Sequence, residues 1–430
     1  MSNNKDTLVP KLRFPEFQNA GEWEVDIVEN LILTISPPKK LNSDKYLQSG
    51  DFPIIDQSQK FICAWTNDSE SLLTDDFPLI VFGDHTCIIK LVNEPFAQGA
   101  DGIKIFKARK KITTEFLFYF LNHSPIKQEN YKRHFSILKE KIVFFPKLVS
   151  GEQQKIASCL SSLDEVITGE QQKLELLKEH KKGLLQNLFP QEGETVPKLR
   201  FKEFENSGEW EKQILGNLIE IKGRIGYRGY TNNDIVEKGK GAITFSPSNI
   251  DDNNQLNFEK VTYISWEKYN ESPEIMLQDG FTVLVKTGSS FGKAVFIKDL
   301  PEKTTINPQL VVLKPASIDA KFLFLSVCNS FIQKQIKETV GGGAIPTLSQ
   351  ENISRFEILV PPDKHRKEQQ KIASCLSSLD EIITAQTQKI EQLQRHKKGL
   401  LQGLFPFVSD TVETGHALSL PKKSPQKNDV

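Results

Sequence analysis

EQQKIASCLSSLDE, Glu152 to Glu165, returns letter for letter from Glu368 to Glu381. The identity runs further: EQQKIASCLSSLDEVIT (Glu152 to Thr168) differs from its second copy only at Val166 against Ile382. HKKGLLQNLFP (His180 to Pro190) and HKKGLLQGLFP (His396 to Pro406) differ only at Asn187 against Gly403. Ahead of each copy, PKLRFPEFQNAGEWE (Pro10 to Glu24) and PKLRFKEFENSGEWE (Pro197 to Glu211) differ at three positions. The opening blocks are offset by 187 residues and the later ones by 216, so the second intervening region is 29 residues longer. A duplicated plan A-X-B, A-Y-B follows, with like ends and unlike middles. EFLFYFLNHSPIKQ (Glu115 to Gln128) and KFLFLSVCNSFIQKQ (Lys321 to Gln335) echo one another, which makes X and Y diverged copies of one domain.

Block B has the alternating four-and-three apolar spacing of a coiled-coil seam. In the first copy the seam is Ile156, Leu160, Leu163, Ile167, Glu170, Leu174, Leu177, Lys181, Leu184 and Leu188. In the second it is Ile372, Leu376, Leu379, Ile383, Gln386, Ile390, Leu393, Lys397, Leu400 and Leu404. A helix of about 38 residues, roughly 57 Å long, cannot bury such a stripe alone, and the other copy is its natural partner. An antiparallel pair is expected, because the second A block starts seven residues after Pro190, where the first helix ends. A register in which paired residue numbers sum to 567 would set Glu170 against Lys397 and Lys181 against Gln386. The predicted fold is therefore two α/β (α+β) domains joined by a long antiparallel two-helix spacer with pseudo-twofold symmetry. Its boundaries are 8–151, 152–190 (first helix), 191–367, 368–406 (second helix) and a disordered tail, 407–430.

Bulk composition excludes more than it selects. Lys plus Arg equals Asp plus Glu at 55 each, so no overall basic charge points to nucleic acid. The chain has no apolar run of membrane-span length and no signal-peptide core, so a cytoplasmic protein is expected. The five cysteines, Cys63, Cys87, Cys159, Cys328 and Cys375, are scattered without metal spacing and read as reduced, mostly buried thiols. Charge is nevertheless uneven within X: Val25 to Ile103 holds 5 basic and 12 acidic residues, Lys104 to Ser150 holds 11 and 3.

Two heads on a spacer suit a ligand with two features at fixed separation, and duplex DNA is the natural one. Candidate DNA contacts in X are Lys107, Arg109 and Lys111 of KARKK, with Lys132 and Arg133 of QENYKRH. In Y they are Arg224, Tyr227 and Arg228 of IKGRIGYRGY, and Lys286, Ser289 and Lys293 of KTGSSFGK. Arginine suits guanine O6 and N7, whereas lysines and glycine-rich loop amides suit phosphates. TVGGGAIPTLS (Thr339 to Ser349) is a further loop of this kind. Any one of these also fits an ordinary solvated face or tight turn. No catalytic motif is complete: GSSFGKA is one residue short of a phosphate loop and has Ala294 where magnesium needs a hydroxyl, and SPPK (Ser36 to Lys39) lacks a methyltransferase aromatic. No metal ligand set is present in the pattern of histidines and cysteines.

The alternation of unlike domains with EQQKIASCLSSLDE…HKKGLLQ.LFP, each unit opening PKLRF..F…GEW, closely resembles the specificity subunit of type I restriction-modification systems. FPIIDQSQKFI, FGDHT and GADG in X, with TGSSFGK and GGGAIPTLS in Y, resemble that family's target-recognition domains. The resemblance implies a non-catalytic subunit whose two domains each read half of an asymmetric bipartite site on double-stranded DNA. It also implies a spacer that docks two methylation subunits, which recruit the restriction (motor) subunits. S-adenosylmethionine, ATP and Mg would then sit on those partners, with no cofactor on this chain. The other readings left open are a specificity subunit of another bipartite-site restriction system and a coiled-coil scaffold without DNA.

Overall fold

The computed structural model describes residues 9–406 other than 75–76, 100–101, 129–132, 252–253, 340–346, 363 and 365, and the backbone alone of Tyr227. The segment expected to be a disordered tail lies outside the described residues. The chain divides into two compact units, Met1–Gln171 with Gln388–Val430, and Gln172–Thr387.

Unit 1 opens with β1 (Glu24–Ile27), α1 (Val28–Leu31), β2 (Ile32–Ile35), β3 (Phe52–Ile55), β4 (Ala64–Thr66) and β5 (Leu72–Leu73). It continues through β6 (Leu79–Gly83), β7 (Ile89–Val92), β8 (Phe96–Gln98), β9 (Ile103–Ala108), α2 (Thr114–His123), α3 (Phe135–Glu140) and β10 (Ile142–Phe145) to the long helix α4 (Glu152–Asn187). Unit 2 runs through β11 (Glu211–Ile214), β12 (Ile219–Gly223), β13 (Ile235–Val236), β14 (Gly241–Phe245), β15 (Thr262–Ser265), α5 (Trp266–Asn270), β16 (Thr282–Val285) and β17 (Ala294–Phe296). There follow β18 (Thr304–Ile306), β19 (Leu310–Pro315), α6 (Ala320–Cys328), α7 (Ser330–Thr339), α8 (Gln350–Ser354), β20 (Glu357–Val360) and the long helix α9 (Lys367–Leu404).

The two units share a sheet plan. One sheet is β2-β9-β6-β7 in unit 1 and β12-β19-β16-β17 in unit 2, antiparallel throughout. The second is β4-β3-β8-β5 in unit 1 and β13-β15-β14-β18 in unit 2. Each second sheet contains one parallel pair, β3 with β8 and β14 with β18, and one antiparallel neighbour, β4 or β15. Its fourth strand lies on opposite edges: β5 pairs with β8, whereas β13 pairs with β15. Alternation along β6 explains the layering. Leu79 and Val81 face Ile55, Phe96 and Ile105 between the sheets, while Ile80 and Phe82 join Phe106 and Phe116 under α2.

Each unit also contains the start of one long helix and the end of the other. Ile156 and Leu160 of α4 and Leu404 of α9, with Phe405 just beyond it, share the unit 1 core with Trp23 and Phe116. The Phe405 ring lies 5.4 Å from Phe116 and 6.3 Å from Trp23. In unit 2, Ile372 and Leu376 of α9 join Leu188 and Phe189 at the end of α4, with Phe189 5.7 Å from Trp210 and 5.2 Å from Phe322. The repeated GEW and LFP letters thus meet each other in both units.

The A and B blocks are joined by matching buried ion pairs. Arg13 donates to both carboxylate oxygens of Glu152 at 2.7 and 2.6 Å, and Arg200 to both of Glu368 at 2.8 Å. The third nitrogen of each arginine, Nη1, donates to a backbone carbonyl, Gly21 or Gly208. Fork-on-fork geometry of this kind needs arginine and fixes the angle between partners.

The helices are antiparallel in each unit, but one heptad away from the expected register. Lys397 pairs with Asp164 and Lys389 with Glu170 in unit 1; Lys181 pairs with Asp380 in unit 2. The paired numbers sum to 559–561 rather than 567. A slide of seven residues leaves the same seam facing inward, so flanking charge and the packing of the helix ends into the domain cores decide between registers. The observed one gives each seam lysine a carboxylate from the SSLDE letters, where the expected one gave Lys181 only Gln386.

The expectation of mostly buried cysteines is corrected: all five are partly exposed. Cys63, Cys87 and Cys328 pack against the margins of cores rather than inside them. Among the described residues no helix is long and apolar enough to cross a membrane.

Candidate nucleic-acid interface

Strand pairing brings one set of loops together in each unit. In unit 1, the ends of β3 and β8 are adjacent (Ile55 with Gln98), as are the end of β6 and the start of β9 (Gly83 with Ile103). The loops after Ile55, Gly83 and Gln98 therefore share one edge. Gln57 binds the β6–β7 turn: its Oε1 accepts from the His85 amide at 3.3 Å, and its backbone carbonyl accepts from Thr86 Oγ1 at 2.8 Å. Gln128, after α2, donates to the His85 carbonyl at 2.9 Å. The buried His134 amide donates to the Asp84 carbonyl at 3.0 Å, and Asp84 Oδ1 accepts the Phe135 amide at 2.8 Å, which ties the start of α3 to the same turn.

The corresponding edge of unit 2 holds the loops after β12, β14, β16 and β18. Lys286 donates its amide to the Gln309 carbonyl, Asn307 donates to Phe245, and Leu348 donates to Lys286. The 286–293 turn is shaped by Gly288 and Gly292, whose φ values of +110° and +84° suit glycine. Its far side is held by Gln333 Nε2, which donates to the Gly292 carbonyl at 3.0 Å.

The sequence candidates divide on this geometry. Lys286, exposed Ser289 and half-buried Lys293 lie together on the unit 2 edge, and burial pushes the Lys286 ammonium below its ordinary pKa. Arg224 and Arg228 also lie there but are engaged in the fold. Arg224 is buried: its Nε donates to the Ile306 carbonyl at 3.0 Å and its Nη1 to the Arg228 carbonyl at 3.2 Å. Arg228 donates to the Glu271 carbonyl at 3.1 Å. The Tyr227 side chain, Lys132 and the centre of the GGGAIPT loop lie outside the described residues. In unit 1, exposed Arg133 adjoins the loop edge through its neighbour His134.

Lys107, Arg109 and Lys111 are placed elsewhere. Lys107 sits near the end of β9 and Arg109 and Lys111 follow it, at the opposite end from Ile103. Arg109 Nε donates to the Ile32 carbonyl at 2.8 Å, and Lys111 lies 3.1 Å from Asp26. Gln153 at the start of α4 donates to the Lys111 carbonyl. A basic run counted along the chain does not show at which end of a strand it will emerge. Gln57, His85 and Gln128, which meet on the unit 1 edge, were not among the charged candidates, although QSQKF and FGDHT were visible as motifs.

The spacer seam is graded. Ile156, Leu160, Ile167, Ile372, Leu376, Leu379, Ile383 and Ile390 are buried, whereas Leu163, Leu174, Leu177 and Leu393 are partly exposed. Among the described residues no cluster of side chains could hold a metal ion.

Residues 23–179 and 207–395 match the family described as the Type I restriction modification DNA specificity domain. The chain is similar to the type I restriction enzyme MjaVIII specificity subunit of Methanocaldococcus jannaschii, 24% identical over 265 residues. That match covers 59% of this chain and 59% of the relative's length. The putative MjaX specificity subunit of the same organism is 24% identical over 315 residues, covering 69% of this chain and 68% of the other. The crystal structure of a type I restriction-modification S subunit from M. genitalium matches with a TM-score of 0.61 at 16% identity, over 93% of this chain and 100% of that one. That likeness is one of fold.

Proposed function

The chain belongs to the type I restriction modification DNA specificity domain family, and from that premise we propose that it reads a split, asymmetric site on double-stranded DNA. The loop edge of X takes one half-site and that of Y the other. The observation that carries this reading is the contrast within one plan: the two units share sheet topology and spacer contacts, while their loop edges carry unrelated residues. Gln57, His85 and Gln128 serve X, and Lys286, Ser289 and Lys293 serve Y. Amide side chains suit adenine edges, and lysines suit phosphates or guanine.

The spacer sets the half-site separation and docks two methylation subunits, on which restriction subunits assemble. Val166 and Ile382, equivalent positions on the two helices, are both exposed large apolar residues off the seam. A pair of like apolar positions fits two like partners. S-adenosylmethionine, ATP and Mg belong to those partners, and this chain is the non-catalytic component.

Sequencing of modified bases in a host carrying this chain with its methylation subunits tests the reading. The expected result is modification confined to one bipartite motif with unlike halves. Modification without such a motif would overturn it.

A further inference from the structure

Two buried cations outside the ion pairs described above do the same job in unrelated sequences. Lys90 on β7 is 5% exposed. Its ammonium donates to the carbonyls of Asp56 at 2.8 Å, Lys60, and Phe61 at 3.4 Å, and the nearest Asp56 carboxylate oxygen is 3.9 Å away. Burial pushes its pKa below the ordinary lysine value, with Asp56 opposing the shift. An apolar side chain would fill this strand position without desolvating a charge. What the charge adds is a set of anchors on one loop, reinforced by the Ser58 amide on Asp56 Oδ1 at 2.9 Å and by the Thr86 hydroxyl on Gln57. The loop so held carries Phe61, 48% exposed.

In unit 2 the cation is Arg224, also 5% exposed, which donates to the carbonyls of Ile306 and Arg228 and to Thr305 Oγ1 at 3.4 Å. It closes the turn in which the Arg228 amide donates to Ile225, and Ile225 is 40% exposed. Single exposed apolar residues are common on proteins. Here, in both diverged domains, a loop tied by a buried cation presents one at the same topological edge.

We propose that Phe61 and Ile225 are apolar base contacts of the two readers, and that Lys90 and Arg224 are positioning residues that hold their loops in the bound shape before DNA arrives. This rests on the DNA-reading function proposed above. The ligand chemistry is the apolar part of a base, either a thymine C5-methyl group in the major groove or a base face at an opened step. Preorganised loops forfeit less conformational freedom on binding, so the contact gains affinity.

The test uses the complete complex with its methylation subunits and duplexes carrying the motif found by modified-base sequencing. Phe61→Ala and Ile225→Ala are each expected to weaken binding about tenfold, each with altered preference in one half-site only and an unchanged unfolding midpoint. Lys90→Met is expected to produce the Phe61→Ala phenotype together with faster amide exchange over residues 57–61. Uracil in place of thymine reproducing the loss identifies the methyl contact; enhanced 2-aminopurine fluorescence that Phe61→Ala abolishes identifies an opened step. Wild-type binding and preference in both alanine variants would overturn the proposal. A wild-type complex that enriches no split motif would instead show that the DNA-reading function itself is wrong.

Discussion

Asp164 on α4 pairs with Lys397 on α9, and the same two letters of the repeat meet again with the helices exchanged, as Asp380 with Lys181. Each block therefore carries both halves of a self-complementary contact, which explains why SSLDE and HKKGLL are kept alike. The domain side differs. Tyr119 donates to Asp164 at 3.0 Å in unit 1, whereas Lys321 lies 3.5 Å from Asp380 in unit 2.

Both pairs are partly exposed, so each contributes only about 0.5–1 kcal/mol. Asp164→Lys should cost about 1–2 kcal/mol, because it also sets two ammonium groups together. Adding Lys397→Asp should recover most of that loss, as read by urea unfolding. Asp380→Lys should cost more than Asp164→Lys, since it deprives two lysines of one carboxylate. Failure of the double variant to recover would contradict the observed register.

The Arg13–Glu152 pair is buried, and a different scale applies. Arg13→Ala leaves an unpaired carboxylate in the core and should destabilise unit 1 by about 3–5 kcal/mol. Arg13→Met with Glu152→Leu removes both charges and should cost much less. Arg200 and Glu368 should behave likewise in unit 2. Calorimetry of the two pairs of variants checks this, and equal losses for single and double variants would count against it.

These contacts also show what the letters could and could not convey. The seam, its antiparallel pairing and the A-X-B plan were legible, because near-identical repeats must satisfy the same neighbours twice. The register was not, since a heptad pattern is unchanged by a seven-residue slide; what separates the alternatives is Asp164 and Asp380, off the seam, and the packing of the helix ends into the domain cores. The loop edge of X was half legible. QSQKF and FGDHT stood out as motifs, but no local property of Gln57 or His85 marks them as neighbours until β3 and β6 are placed. Lys90 counted as one more basic residue, although its ammonium faces carbonyls rather than solvent.

Cys63 provides a pH-dependent signature of unit 1. Burial, reinforced by the nearby Asp56 carboxylate, pushes its thiol from 9.0 up to about 11. The folded state thus holds the proton more tightly than the unfolded chain. Its contribution to stability is fully present below pH 9 and is lost as pH rises through about 11. At pH 8 only about one molecule in a thousand carries the thiolate. Alkylation of Cys63, followed by mass spectrometry, should therefore be slow at pH 8 and accelerate up to about pH 11. Rapid alkylation at pH 8 in the folded protein would contradict this environment.

If the spacer sets the half-site separation, matched insertions should move it by a calculable amount. Four residues added to both α4 and α9 lengthen each helix by about 6 Å and advance it by roughly 40° beyond a full turn. Duplex DNA rises about 3.4 Å per base pair and turns roughly 34–36° per base pair at 10–10.5 base pairs per turn. Length alone favours a gap wider by about two base pairs, and twist alone favours one. The modified motif should therefore keep both half-sites and gain one or two unspecified base pairs between them. An insertion in α4 alone should misalign Asp164 and Lys397 with their seam neighbours and lower the unfolding midpoint instead. Modified-base sequencing reads the spacing directly, and an unchanged gap in the matched variant would rule out the spacer as its determinant.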